Sequence, residues 1–342
     1  MKNSIDISNS RRIKMPLITE DQAKKIGEKG WSLSYIYAFV ELKDIYLALQ
    51  QHDYEGIKDF FQYCQSIDLK AQNKVWSERK TLEFVNALKN FKIIDHDYKI
   101  VKDIFKESKI GDAINESDFN EFYSIFFEYF RFKEVLMWFL GEKNIANTNL
   151  MKSLSIADFL ENSNVLFCFS DKSRFTDSFF YELIDNPTIY YLSEDNTETE
   201  NNSGFLRFWD TFTTWGKNIR VIEKLNLTNI PIKTLTGKNI TCVYIRKNKP
   251  KHLDFINYIK IEYKNSNYIF IPHLVLKLVI DFRITVQDAF DIIIEQYKIH
   301  KQIISFERTS GIFVKKTEIN KNDTIFYPKY NDSFISHLII RE

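Results

Sequence analysis

Three helical patterns in succession are the feature that most constrains how the first part of this chain folds. Apolar residues recur at i, i+3, i+4 and i+7 in 34–51 and again in 54–67, which predicts two amphipathic helices. A third helix is predicted over 81–90, because apolar residues share one face and Ser77 is a suitable N-cap residue.

A pattern typical of a short β-hairpin follows these helices. Two apolar runs, 92–94 and 98–104, flank the turn-forming residues 95–97. Residues 31–105 are therefore predicted to form three helices and then two strands.

The C-terminal region begins with a less regular series of signals. Residues 205–213 and 218–225 have helical spacing, and 240–246 has the composition of a strand. The segments 258–264 and 268–272 alternate polar and apolar residues around a short turn, which predicts a hairpin.

Two helix-start signals come next. Pro272 suits the first turn of a helix over 272–281. Thr285 and Asp288 have the spacing of a capping box that would open a second helix over 286–300.

A last hairpin is predicted from the arms 302–307 and 312–318. Residues 31–105 and 268–318 thus each resemble a winged-helix unit, and the chain resembles tandem winged-helix DNA-binding proteins. The resemblance implies that the third helix of a unit enters the major groove and that the hairpin forms the wing. It also implies a role in phage defence, plasmid replication or transcription control.

The expected fold is a mostly helical α+β protein, with two winged-helix-like modules and a central helical region. In that central region, 117–140 is predicted as one Phe-rich helix capped by Ser117, used for core packing or for self-association. The predicted divisions are a polar arm (1–30), an N-terminal domain (31–150), a connecting region with an acidic loop at 193–204 (151–204), and a C-terminal domain (205–342).

Charge is unevenly distributed in a chain whose net charge is only +1. Nine Lys or Arg residues and one acidic residue lie between 217 and 251, and clustered cations favour a phosphate backbone. The helix predicted over 286–300 is different, since Asp288, Asp291 and Glu295 would repel phosphate. The residues predicted to contact nucleic acid are Lys74, Arg79, Lys80, Arg246, Lys247, Lys249, Lys251, Arg308, Lys315 and Lys316.

Enzyme motifs give little support for catalysis, because nucleotide-binding, serine-hydrolase and zinc-protease patterns are absent from the sequence. Asp254, Glu262 and Lys264 imitate the metal-binding pattern of Mg²⁺-dependent nucleases. If 254–264 were one strand, the two carboxylates would lie about 26 Å apart, too far to share one metal ion. No cofactor or metal is predicted.

Three cysteines that are distant in sequence predict neither a disulfide framework nor a zinc site, and favour a reducing, cytoplasmic compartment. The sequence has no apolar segment suited to a signal peptide or a membrane span. The favoured function is non-enzymatic binding of duplex DNA. The alternatives are a scaffold or adaptor subunit of a protein complex and a metal-dependent nuclease.

Overall fold

The structure is a computed structural model of the whole chain. The residues it describes are 18–19, 36, 38–51, 53–71, 74–75, 77–139, 166–170, 190–192, 198–200, 205–227, 230–232, 240–264, 266–309 and 326–341.

The protein is an α+β protein in which helices hold about half of the described residues. The helices are α1 (Phe39–Leu49), α2 (Ile57–Ser66), α3 (Glu78–Asn90), α4 (Glu116–Glu128), α5 (Phe130–Phe139), α6 (Phe205–Asn218), α7 (Phe255–Glu262), α8 (Ile271–Phe282) and α9 (Val286–Ile299).

The strands are short and form small sheets. They are β1 (Ile18–Thr19), β2 (Lys70–Ala71), β3 (Lys74–Val75), β4 (Leu166–Ser170), β5 (Tyr190–Leu192), β6 (Glu198–Glu200), β7 (Ile222–Asn226), β8 (Ile240–Ile245), β9 (Tyr268–Phe270), β10 (Ile304–Thr309), β11 (Lys329–Tyr330) and β12 (Ser333–Ile340).

The chain divides into two compact units, each assembled from separate stretches of sequence. The helical unit consists of Lys14–Ile156 and Thr188–Arg220. The C-terminal unit consists of Met1–Ile13, Ala157–Pro187 and Val221–Glu342.

An aromatic cluster forms the core of the helical unit. The Trp215 ring is buried and meets Phe39 edge-on at 4.8 Å, while Phe39 and Phe122 stack at 4.1 Å. The Trp215 indole N–H donates to the carbonyl oxygen of Ile36 at 2.6 Å. This bond satisfies a polar group that burial would otherwise leave unpaired.

Helix α1 also buries charged side chains. The Lys43 ammonium donates to the carbonyl oxygen of Asp112 at 2.7 Å, and the Asp44 carboxylate accepts the Gly111 N–H at 3.1 Å. Burial raises the pKa of Asp44 above its ordinary value. These bonds fix the loop that precedes α4 against α1.

The three helices predicted at the start of the chain are confirmed as α1, α2 and α3, but the hairpin predicted after them is present only as a tight antiparallel turn without regular strands. Residues 92–94 and 98–104 are joined by one antiparallel bridge, between Ile94 and Ile100, and by the Val101 N–H, which donates to the Ile93 carbonyl at 2.8 Å. Lys92 and Tyr98 have φ angles of 55° and 65°, which turn the backbone away from a continuous ladder.

The prediction of one Phe-rich helix over 117–140 is wrong. Tyr129 has an extended backbone and separates α4 from α5. The capping box of α4 is made by Asn115 and Asp118 rather than by Ser117. Phe122 and Phe126 are fully buried, so their rings serve the core of their own unit.

The described part of the C-terminal unit contains two antiparallel sheets. One has the strand order β4-β8-β7. In the other, β12 is central, with β10 on one side and both β9 and β11 paired to it. Helices α8 and α9 supply much of the buried apolar surface, and the capping box of α9 at Thr285 is confirmed.

Two predictions in the C-terminal unit are wrong. Residues 258–264 belong mostly to α7, because Asp254 caps that helix by accepting the Asn257 N–H and its first turn buries Phe255. Residues 218–225 do not continue a helix, since Arg220 has a φ of 62° and the chain then enters β7.

Only the first arm of the final predicted hairpin lies among the described residues. β10 pairs with β12, and the predicted second arm at 312–318 lies outside the described residues. The predicted acidic loop at 193–204 contains strand β6, which pairs with β5. No helix among the described residues is long and apolar enough to cross a membrane.

Candidate nucleic-acid interface

The basic segment 246–251 follows β8 directly and is fixed by backbone hydrogen bonds. The Arg246 N–H donates to the Val221 carbonyl at 2.8 Å, and the Lys247 N–H donates to the Arg283 carbonyl at 2.8 Å. The buried Tyr244 hydroxyl donates to the Ile284 carbonyl at 2.7 Å. The segment is therefore held beside the connection between α8 and α9.

This position brings the cations of the basic segment to the carboxylates of α9. The Arg246 guanidinium lies 3.7 Å from the Asp288 carboxylate. The Lys249 ammonium lies 2.7 and 2.8 Å from the two carboxylate oxygens of Glu295. Asp288 and Glu295 are seven residues apart, so they share one face of the helix, and the basic segment runs along that face.

The pairing connects two features of the sequence, the cationic segment and the acidic helix. The excess of cations near 246–251 and the acidic character of α9 offset each other locally. Each side chain is partly exposed, so each pair stabilises the fold only weakly. A phosphate group approaching Arg246 or Lys249 nevertheless meets a carboxylate beside each cation, and this weakens its attraction.

The cations predicted at the start of α3 are also close to carboxylates. Ser77 caps the helix as predicted, by accepting the Lys80 N–H. The Arg79 side chain is 3.3 Å from Glu83, and the Lys80 ammonium is 3.2 Å from the buried carboxylate of Glu41. Lys80 is thus directed toward α1.

The other predicted contacts are more dispersed. Lys251 and Arg308 are exposed, and Lys247 is half-buried. Lys74 lies in β3, with a side chain outside the described part of the structure, and Lys315 and Lys316 are not among the described residues.

The predicted nuclease residues are not brought together. Asp254 and Glu262 lie at opposite ends of α7, about 12 Å apart at 1.5 Å per residue. Asp254 caps the helix, and Glu262 lies 3.1 Å from the Lys277 ammonium. Lys264 is exposed beyond the end of α7.

An open cavity of about 380 Å³ lies beside β9 and contains none of the predicted contacts. Tyr263, Tyr268, Phe270 and His273 contribute to its lining, and the Tyr263 hydroxyl lies 2.7 Å from Nδ1 of His273. Burial, together with the nearby negative charge of Glu262, raises the pKa of Tyr263, which keeps its hydroxyl protonated.

Within the described ranges, no group of three or more His, Cys, Asp or Glu side chains is arranged to hold a metal ion. The comparisons with known proteins identify no relative: no family model, no curated protein and no solved structure matches this chain.

Proposed function

We propose that this protein is a non-enzymatic adaptor subunit that binds other proteins through the C-terminal unit. The observation that carries the proposal is the pairing of Arg246 with Asp288 and of Lys249 with Glu295. Two of the cations predicted to hold a phosphate backbone, Arg246 and Lys249, lie against carboxylates of α9.

The remaining exposed surface of α9 has the mixed character of a protein contact. Asp291 is a further acidic group on this helix, and its carboxylate accepts a hydrogen bond from the Gln287 amide at 2.8 Å. Ile299 at the end of the helix is 67% exposed, and Ile303 just beyond it is 38% exposed. Acidic groups disfavour DNA, whereas exposed aliphatic side chains gain free energy when a protein partner covers them.

In-cell photo-crosslinking tests this proposal. A photoreactive amino acid replaces Ile299 in one variant of the full chain, and it replaces Val101, 63% exposed in the helical unit, in a matched control. We expect a discrete protein adduct at position 299 that survives nuclease treatment and is absent at position 101. An adduct at 299 that nuclease destroys would contradict the adaptor function.

Duplex-DNA binding is a second candidate, which the order of elements in the C-terminal unit favours. The described elements of residues 255–340 run helix, strand, helix, helix and then three strands, and β12 lies between β9 and β10. Apart from β11, this order resembles that of a winged-helix unit, in which α9 takes the place of the recognition helix.

If the protein binds duplex DNA, exposed cations must contact the phosphates. Replacing both Lys251 and Arg308 with Ala removes two such charges, so it should reduce the steepness of the salt dependence by about 1.8. A filter-binding salt series on one duplex measures that difference. An unchanged slope would exclude these two residues as phosphate contacts.

A further inference from the structure

Strand pairing brings two of the three cysteines together. Cys168 in β4 and Cys242 in β8 are Cα partners in an antiparallel pair. Directly opposed residues in such a pair have Cα atoms about 4.5–5.5 Å apart. Disulfides join residues whose Cα atoms are about 4.4–6.8 Å apart, so the backbone places these two cysteines within bonding range.

Cysteine abundance does not explain this alignment. The chain has only three cysteines in 342 residues, and two of them occupy the same register position of one strand pair. The pairing cannot be read from the sequence, because β4 and β8 belong to distant segments of the chain.

The position of β4 provides a route for an oxidant. Cys242 is fully buried in β8, the central strand of the sheet, whereas β4 is at the edge in the order β4-β8-β7. An edge strand separates from its neighbour at a lower free energy than a central strand does. Opening of this edge releases β4, so Cys168 is the position that an oxidant reaches first, because Cys242 belongs to the buried cluster that contains residues of α8 and α9.

We infer that Cys168 and Cys242 are a redox-active pair that forms a reversible intramolecular disulfide when the protein meets a peroxide. One thiolate attacks an oxygen of hydrogen peroxide, which gives a sulfenic acid and hydroxide. The second thiolate attacks the sulfenic sulfur, forming the S–S bond and releasing a second hydroxide. Two thiols are oxidised by two electrons in total, and the peroxide and the two thiol protons become two waters.

Reduction reverses the bond by thiol–disulfide exchange. A small dithiol attacks one sulfur of the disulfide, releases the other as a thiolate, and is itself oxidised to a disulfide. The pair therefore remains reduced in a reducing compartment and changes state under peroxide stress.

Cys64 is an internal control within the same chain. It lies in the helical unit, is fully buried, and burial raises its pKa to about 12. A thiol with such a pKa has almost no thiolate at neutral pH and reacts slowly with peroxide.

The test is a thiol count on the full chain after peroxide treatment. Reduced protein is exposed to hydrogen peroxide, denatured, alkylated and digested without a reductant, and a dithiol is then added to one portion. We expect the alkylatable thiols to fall from three to one, and a peptide pair joining Cys168 to Cys242 to appear and then disappear with the dithiol.

Two variants separate the pair from non-specific oxidation. Cys64→Ser should still lose two thiols, whereas Cys168→Ser, a substitution at the sheet edge, should form no intramolecular disulfide. The inference is overturned if wild type keeps three thiols under peroxide that fully oxidises free glutathione, or if the linked peptides contain Cys64. The wild-type peptide map decides the question even if a variant fails to fold.

Discussion

The ammonium of Lys249 lies 2.7 Å from one carboxylate oxygen of Glu295 and 2.8 Å from the other. Lys249 belongs to the most cationic segment of the chain, and Glu295 belongs to the acidic helix α9. A group predicted to hold phosphate therefore contacts a carboxylate of its own unit.

Removing the carboxylates of α9 should release these cations. We expect the double variant Asp288→Asn with Glu295→Gln to bind duplex DNA more tightly than wild type at low salt. Two freed cations should steepen the dependence of log K on log salt by about 1.8, which fluorescence anisotropy across a salt series measures. Asp291→Asn is the matched control, because it removes a charge from the same helix without removing either ion pair. Equal slopes for the double variant and the control would contradict the pairing.

Replacing Trp215 tests the core of the helical unit. Trp215→Phe removes the bond to the Ile36 carbonyl and leaves space beside Phe39, so the free energy of unfolding should fall by about 2 kcal/mol. Urea unfolding followed by circular dichroism measures the change. A fall in the free energy of unfolding of less than about 0.5 kcal/mol would contradict a stabilising role for this hydrogen bond and this packing.

The raised pKa of Asp44 makes the stability of the helical unit depend on pH. The native state holds the Asp44 proton to a higher pH than the unfolded state, whose ordinary value is 3.8. The unfolded state therefore binds fewer protons above pH 3.8, and stability falls as the pH rises toward the native pKa.

Asp44→Asn should remove this loss, because an amide oxygen can still accept the Gly111 N–H. We expect the variant to gain stability relative to wild type as the pH rises from about 4 to about 7. Urea unfolding of both proteins at several pH values measures the difference, in which the titration of other groups largely cancels. A difference that shrinks as the pH rises would contradict the buried position of this carboxylate.

The capping box of α9 should contribute to the stability of the C-terminal unit. Thr285→Ala removes the hydroxyl that accepts the Asp288 N–H, and we expect a loss of about 1 kcal/mol. Gln287→Ala, at an exposed position of the same first turn, should change stability much less. Thermal unfolding compares the two variants. A loss of stability in Thr285→Ala no larger than that in Gln287→Ala would contradict a stabilising role for the cap.

Local signals predicted the helices well where one face is apolar and a cap is present. Helices α8 and α9 follow from Pro272, the Thr285 cap and their apolar spacing. The same reasoning failed for 258–264, because its residues satisfy both a two-residue and a four-residue period. The capping bond from Asp254 decides in favour of a helix there.

Non-local pairing is what the sequence did not reveal. Nothing near β10 indicates that it pairs with β12, and nothing near Cys168 indicates that it lies opposite Cys242. The cations and the acidic helix were both visible in the sequence. Their contact depends on backbone bonds from Arg246 and Lys247 to residues distant in the chain.

The most direct test of the account is the salt dependence of duplex binding by the wild-type chain. If Arg246, Lys247, Lys249 and Lys251 all held phosphates, log K would fall with log salt at a slope of about −3.6. Because Arg246 and Lys249 are paired with α9, the account predicts a slope no steeper than about −2. A measured slope near −3.6 that Ala substitution of these four residues abolishes would contradict it.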